Sequence, residues 1–289
     1  MTLRHFLELT DLSPRELSDV LDLSDAPDPP RVLAGKGMAL LFEKPSARTR
    51  HSVEMAVVQL GGHPVTVRND EVGLDVRESA EDVARTLSQY HHAIGARVFQ
   101  HAKLERIAGA ATVPVVNLLS DDAHPVQVLA DLLTIRHEFG RLDGLTLAYV
   151  GDGNNMARSL THAESLTGLH VRVSSPPGFQ LTGTSAELID DPMAAVRGAD
   201  VIYTDAWFSM GQETEAAARR PVFAPWRVTS KLMAAAAPNA IFLHCLPAHR
   251  GDEVADDVID GPRARVWPQA ANRMHSTRGL LAFLLGPRS

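Results

Sequence analysis

From residue 38 onward, short runs of apolar and β-branched residues alternate with longer stretches whose apolar positions recur every three or four residues. A period near two in short buried runs and near 3.6 in the longer ones is the pattern of parallel βα units, because side chains alternate across a strand and return to one face of a helix. In the first half the pattern predicts strands at 38–43, 64–68, 93–99 and 113–118, with helices at 50–60, 80–91 and 102–111 between them. A longer helix follows at 125–139, and residues 140–144, bounded by two glycines, read as its stop and a turn. The alternation then resumes with strands at 145–150, 171–174, 200–203, 240–244 and 264–267, and ends in an apolar helix at 272–285. At least seven βα units are counted in all. The expected fold is therefore α/β, with two doubly wound parallel-sheet domains joined by helices and the C-terminal helix packing back on the first domain. The first domain is expected at 1–136 plus 272–286 and the second at 137–271. Residues 25–31, with three prolines, read as the loop between a first helix and the first strand.

Composition narrows the class. A chain of 289 residues that is 45% hydrophobic is long enough for two ordinary cores. Its net charge of −7, without any run of Lys and Arg, argues against a nucleic-acid partner. No window approaches the roughly 18 apolar residues that a membrane helix needs. The N-terminal 14 residues lack the apolar stretch of a signal peptide. The single cysteine, Cys245, rules out an intramolecular disulfide and fits a reducing compartment. A cytoplasmic location is the expectation, with no membrane partner.

Candidate chemistry collects where strands are expected to hand over to helices, the edge at which open α/β sheets bind ligands. Ser46-Ala47-Arg48-Thr49-Arg50 offers hydroxyls, two guanidinium groups and the free N–H groups of a helix start to one anion, for which phosphate is the natural occupant. The plain alternative is an ordinary βα turn with solvated arginines. His124-Pro125-Val126-Gln127 reaches the same edge, where His124 can polarise a carbonyl and Gln127, one turn on, can add an amide; a helix start capped by the histidine is equally consistent. Arg97 interrupts an apolar strand and needs an anionic or carbonyl partner if it is buried. Arg273, near the start of the last helix, either reaches a phosphate or covers the helix surface.

In the second half, Gly151-Asp152-Gly153-Asn154-Asn155 follows a strand but departs from a dinucleotide fingerprint. Met156 replaces the third glycine, and Ser174 and Ser175 end the next strand where an acid is needed for a ribose. A small zwitterion held by Asn155 fits better, so no cofactor is expected. Asp205 opens a polar loop that ends at Ser209-Met210-Gly211 and suits an amino group. His244-Cys245-Leu246-Pro247-Ala248-His249-Arg250-Gly251 contains a thiol and two imidazoles, yet its spacing matches no common zinc pattern and no second thiol exists, so no metal is expected. Cys245 alone also reads as a small buried apolar residue.

In this order and spacing, the segments resemble the aspartate and ornithine carbamoyltransferase family over nearly the whole chain, with HCLPAHRG and Ser209-Met210-Gly211 on the ornithine side. The resemblance implies two α/β domains, carbamoyl phosphate in the first, an amine acceptor (L-ornithine) in the second, a homotrimer, and a place in arginine metabolism. It implies that Ser46, Ala47, Arg48 and Thr49 hold phosphate, that Arg97, His124 and Gln127 hold the carbamoyl group, and that Arg273 assists. It further implies that Asn155, Asp205, Ser209 and Met210 hold the amino-acid end of the acceptor. Cys245 would lie beside the attacking amine without acting as nucleophile, and the main chain at Cys245 and Leu246 would accept the carbamoyl N–H groups. Arg97, His124, Cys245 and Asp205 are thus the catalytic candidates.

The chain departs from the family pattern in three places. Ala47 stands where the family has threonine, which removes a hydroxyl from the anion loop. Gly73 and Asp75 stand where glutamine and glycine are expected. The stretch 177–199 is shorter by about one helix and one strand, which predicts a smaller second sheet. Relatives that act on modified ornithines also vary position 47, so the resemblance leaves room for another amine or for a weakly active paralogue.

Overall fold

A computed structural model of the chain describes residues 3–208 and 213–287. It comprises two compact units, Met1–Leu133 with Ala271–Ser289, and Thr134–Ala270. The boundary falls within the helix Pro125–Phe139 and again within the helix Val266–Leu285.

In the first unit, strands β1 (Gly37–Phe42), β2 (His63–Arg68), β3 (Ala93–Arg97) and β4 (Val115–Leu119) form a parallel sheet in the order β2-β1-β3-β4. β3 is buried throughout, whereas β2 alternates between exposed and half-buried positions, as an edge strand with one covered face should. Ala39, Leu41, Ile94, Ala96 and Val115 pack against Val83 and Ala84 of the helix Ala80–Tyr90 and Leu104 and Ile107 of the helix His101–Ala110. The expected helix at 50–60 begins earlier, at Ala47, so the anion loop is itself a helical first turn with Ser46 as N-cap.

The second unit contains β5 (Thr146–Val150), β6 (His170–Ser174), β7 (Glu187–Leu188), β8 (Val201–Thr204) and β9 (Ile241–His244), all parallel, in the order β7-β6-β5-β8-β9. Its core joins Ala148, Val150, Ile202 and Phe242 to Leu232, Met233, Val258 and Ile259. Between β6 and the helix Pro192–Val196 the described secondary structure is only the two-residue edge strand β7, in keeping with the shortened segment there. The strand expected at 264–267 does not form. Ala264 makes a single bridge to Phe242, and a helix starts at Val266. Pro268 explains the change: it has no N–H for a sheet but is tolerated in a first helical turn.

The last helix belongs to the first unit from Ala271 onward. Arg278 secures it, donating to the Ser24 carbonyl at 2.6 Å, the Ala26 carbonyl at 3.2 Å and Gln59 Oε1 at 2.9 Å. These carbonyls lie at the C-terminal end of the helix Pro14–Asp25, where a cation is favoured. Gly279, the next residue, lies so close to that helix that a Cβ there would meet Ser24 Oγ at 2.2 Å and the Val20 carbonyl at 2.5 Å. Gly279→Ala is therefore expected to destabilise the protein by about 1–3 kcal/mol through overpacking. Gly109→Ala, in an open helical position, is expected to stabilise it by about 0.5–1 kcal/mol. Urea denaturation of both variants measures the contrast.

Candidate functional site

In each unit the chain first winds one way from its opening strand and then the other. The reversal lies between β1 and β3 in the first sheet and between β5 and β8 in the second. At such a switch the loops leaving adjacent strands diverge and open a crevice at the carboxyl edge. Residues 46–50, Arg97 and residues 124–127 lie at the strand ends of the first sheet, and Asn155, Asp205, Cys245 and Leu246 at those of the second.

In the first unit, Ser46 follows β1 and caps the helix Ala47–Gln59. Its Oγ accepts the Thr49 N–H at 3.3 Å and donates to Thr49 Oγ1 at 3.1 Å. Ala47 and Arg48 are the first two helical residues, whose N–H groups have no partner within the helix and point to its N-terminal side. Arg97 is the last residue of β3, and its Nη1 lies 3.4 Å from Thr49 Oγ1. Arg273 Nη2 reaches the same oxygen at 3.4 Å, while its Nη1 donates to Gln127 Oε1. Gln127 in turn donates to Asp131 Oδ1 at 2.8 Å. Thr49, Arg97, Gln127, Asp131 and Arg273 are all buried. Ser46, Thr49, Arg97, Gln127 and Arg273 thus form one connected group from three strand ends and a helix 224 residues away in sequence.

His124 is buried at the start of the helix Pro125–Phe139, and its carbonyl accepts the Gln127 and Val128 N–H groups. Its backbone thus does the capping. Burial, and then the positive charges of Arg273 and Arg97, hold the imidazole pKa well below its usual range. A neutral ring can donate a hydrogen bond to a carbonyl oxygen without adding a third buried cation. Arg48 and Ala47 are exposed. Of the loop's two guanidinium groups, that of Arg50 pairs with Glu54 at 2.8 Å, and Glu54 also accepts from Thr66, so its charge is drawn along the helix surface.

In the second unit, Asn154 caps the helix Asn155–Thr161, accepting the Met156 and Ala157 N–H groups at 2.9 and 3.1 Å. Its amide nitrogen donates to Asp205 Oδ2 at 2.9 Å. Asp205 follows β8; its Oδ1 accepts the Ala206 N–H at 2.7 Å and the Cys245 thiol at 2.8 Å. Tyr149 adds a hydroxyl, which donates to Asn154 Oδ1 at 3.3 Å. Burial, then the nearby acids Asp205 and Asp152, push its pKa well above the phenol range, so it remains a donor. Asn155 is the first helical residue beside this group and is half-buried. Cys245 is also half-buried, and its thiol is engaged by a carboxylate, which corrects the alternative reading of it as a small buried apolar residue. Ser209 and Met210 lie outside the described residues.

The glycine-rich turn serves packing. Gly153 donates its N–H to the Phe179 carbonyl at 2.9 Å, and a Cβ there would meet the backbone of residues 179–181 at 2.5 to 2.8 Å. The space that a pyrophosphate would need against this glycine is filled by chain. Asp205, His244 and Cys245 bring ligand-type atoms within 4.8 Å of one another. However, His244 Nδ1 accepts the Leu246 N–H at 2.8 Å and Nε2 contacts Glu253 Oε1 at 3.2 Å. Both ring nitrogens are thus committed within the protein.

Sequence reasoning missed Asn154 and Tyr149, which orient the acid, and Arg219, which donates to Asp152 at 2.8 Å and to the Trp207 carbonyl at 2.9 Å. An asparagine placed just before an expected helix was a legible capping signal. Tyr149 carried none because it is itself one apolar position of a strand, and Arg219 because its partners Asp152 and Trp207 lie 67 and 12 residues away.

Residues 4–137 match the family model described as the aspartate/ornithine carbamoyltransferase, carbamoyl-P binding domain. Residues 143–284 match that of the Asp/Orn binding domain of the same family. The chain is 48% identical to an ornithine carbamoyltransferase of Parafrankia sp. (strain EAN1pec), with 99% of this chain and 97% of the relative covered. It is 51% identical to that of Acidothermus cellulolyticus, covering 98% and 97%. The first alignment runs over 307 positions, more than the 289 residues of this chain, so that relative has residues this one lacks. Among solved structures, the ornithine carbamoyltransferase from Pyrococcus furiosus superposes with a TM-score of 0.94 at 44% identity, covering 99% and 98% of the two chains. That from Thermus thermophilus gives 0.91 at 43%, covering 98% and 100%.

The lowered pKa of His124 has a signed consequence for stability. The unfolded histidine takes up a proton below about pH 6.5 and the folded one does not, so stability present above that pH is lost as pH falls. His5 and His91, also lowered by burial, add in the same direction. Unfolding free energies from pH 7.5 to 5 are expected to decline, and His124→Asn is expected to flatten that slope by up to about 1.4 kcal/mol per pH unit.

Proposed function

This chain belongs to the aspartate/ornithine carbamoyltransferase family, and on that premise we propose that it moves the carbamoyl group of carbamoyl phosphate to the side-chain amine of L-ornithine, giving L-citrulline and phosphate. The observation that carries the donor half is the meeting of Arg97 and Arg273 at one buried hydroxyl, Thr49 Oγ1, beside a helix N-terminus. Two guanidinium charges and a helix start together suit a dianion. Ser46, Arg48, Thr49 and the amide of Ala47 hold the phosphate in this reading; Arg97, His124 and Gln127 hold the carbamoyl group, and Arg273 serves both.

The uncharged amine nitrogen attacks the carbamoyl carbon, the carbonyl electrons move to oxygen, and the oxyanion is met by Arg97 and the neutral His124. When the carbonyl re-forms, the C–O bond to phosphate breaks, phosphate leaves with the electron pair, and the amine proton passes to it. Groups already set for the developing charge lower the barrier without reorganising. On the acceptor side, Asn155, Asp205, Ser209 and Met210 receive the amino-acid end, and the main chain at Cys245 and Leu246 takes the carbamoyl N–H groups. Cys245 stands beside Asp205, a placement that orders the acceptor and requires no covalent adduct. By family resemblance the chain works as a cytoplasmic homotrimer in arginine biosynthesis, without cofactor or metal. Among the described residues no helix is long and apolar enough to cross a membrane.

A second reading keeps the chemistry and changes the amine, or leaves the chain weakly active. It is favoured by Ala47 at the first helical position and by Gly73 in the 68–79 segment. Incubation with carbamoyl phosphate and ornithine is expected to yield citrulline, and its absence at millimolar substrate overturns the first reading. A preference for an acetylated or decarboxylated amine supports the second. Restoring the hydroxyl in Ala47→Thr is expected to lower the carbamoyl phosphate KM. A hydrogen bond to a charged group contributes about 1.5–3 kcal/mol, or about 10- to 100-fold. Because position 47 is exposed, the gain is expected at the lower end, about tenfold.

A further inference from the structure

Glu253 is wholly buried and belongs to no part of the reaction described above. It lies in the turn before the short helix Asp256–Ile259, and its Oε1 accepts from both His244 Nε2, at 3.2 Å, and the His249 N–H. The side chains of Glu253 and His244 are both fully removed from solvent. A carboxylate so placed is costly unless hydrogen-bonded, so its contact with the histidine is a constraint on both groups.

The constraint acts on the neighbouring turn. His244 Nδ1 accepts the N–H of Leu246 at 2.8 Å, which requires a lone pair on Nδ1 and places the ring proton on Nε2. Glu253 is the acceptor for that proton and so selects this tautomer. Leu246 has φ of 58°, a left-handed conformation that a leucine adopts only when its surroundings impose it. The residue between, Cys245, thereby faces Asp205 with its thiol 2.8 Å from Oδ1. Gln269 holds the start of the turn, its Oε1 accepting the His244 N–H at 2.9 Å while its amide donates to the Tyr203 hydroxyl at 3.2 Å.

We propose that Glu253 and His244 are positioning residues: the buried carboxylate fixes the histidine tautomer, and the histidine holds the Cys245–Leu246 turn in the conformation that receives the amine acceptor. The inference rests on the acceptor reading of that turn given above. It assigns neither residue a contact with substrate.

Cys245 is the only cysteine of the chain and is half-buried, so its alkylation by iodoacetamide reports the turn independently of catalysis. In the full-length protein, Glu253→Gln removes the anionic acceptor with little change of volume. The variant is expected to raise the alkylation rate at least about threefold, and to raise the ornithine KM about tenfold while the carbamoyl phosphate KM stays within about twofold. An alkylation rate equal to that of the unaltered protein overturns the proposal, whatever the activity. If the unaltered protein makes no citrulline, the functional reading fails instead, and the alkylation rate still decides the positioning role.

Two substitutions at His244 test the tautomer argument should Glu253→Gln fail to fold. An asparagine oxygen takes the place of Nδ1 and can still accept the Leu246 N–H, whereas a glutamine amide takes the place of Nε2 and keeps only the Glu253 contact. His244→Asn is expected to stay closer to the unaltered alkylation rate and ornithine KM than His244→Gln. Equal behaviour, or the reverse order, overturns the proposal.

Discussion

Two buried guanidinium groups meeting at the hydroxyl of Thr49 set the terms for the rest of the first unit. Charges of one sign are costly to bury near each other, because the interior screens them far less than water does. The surroundings answer that cost in specific ways. Gln127 turns its carbonyl oxygen to Arg273 and its amide to Asp131. His124, buried beside both cations, is held neutral. Ser46 is committed to capping the helix and to Thr49. In the proposed function this is the place of the anionic donor.

Bringing Arg273 there depends on the last helix. Arg278 fastens it to the end of the helix Pro14–Asp25 through two main-chain carbonyls. Gly279 permits the two helices to approach to a distance that any side chain would prevent. The N-terminal helix thus has an effect on the placement of Arg273. Its well-formed N-cap, Ser13 with Glu16 in a reciprocal capping box, further defines where it begins.

The second unit uses the same topological device for a different chemistry. At its strand switch a carboxylate, Asp205, is held by an amide, a backbone N–H and a thiol. A carboxylate that is oriented by donors yet still half-exposed is suited to an ammonium group, as the arginines opposite in character suit a phosphate. Behind it, Tyr149 and the Glu253–His244 pair supply support from buried positions, where hydrogen bonds are strong and misplacement is expensive.

Much of this was legible along the chain because it is local. The βα alternation, Ser46 to Thr49 as a helix start, and Asp205 and Cys245 after their strands all depend on residues within a few positions of one another, and on the fact that a parallel strand must end where its ligand edge lies. Position 264–267 misled because a β-branched, aromatic run looked like a strand, and Pro268 decided otherwise. Arg50 looked equivalent to Arg48 until the helix placed it one turn from Glu54. Arg97 and Arg273 were recognisable as candidates, but their convergence on one oxygen spans 48 and 224 residues of chain. Glu253 and Arg278 were invisible, since nothing in their neighbours marks a buried charge. The sequence by itself determined the order of elements and the chemical types available at each strand end, because propensity, periodicity and capping are short-range. Only the tertiary structure decided which of those groups share a partner, which are neutralised by burial and which support from behind, because those outcomes depend on distance through space and on exclusion of water.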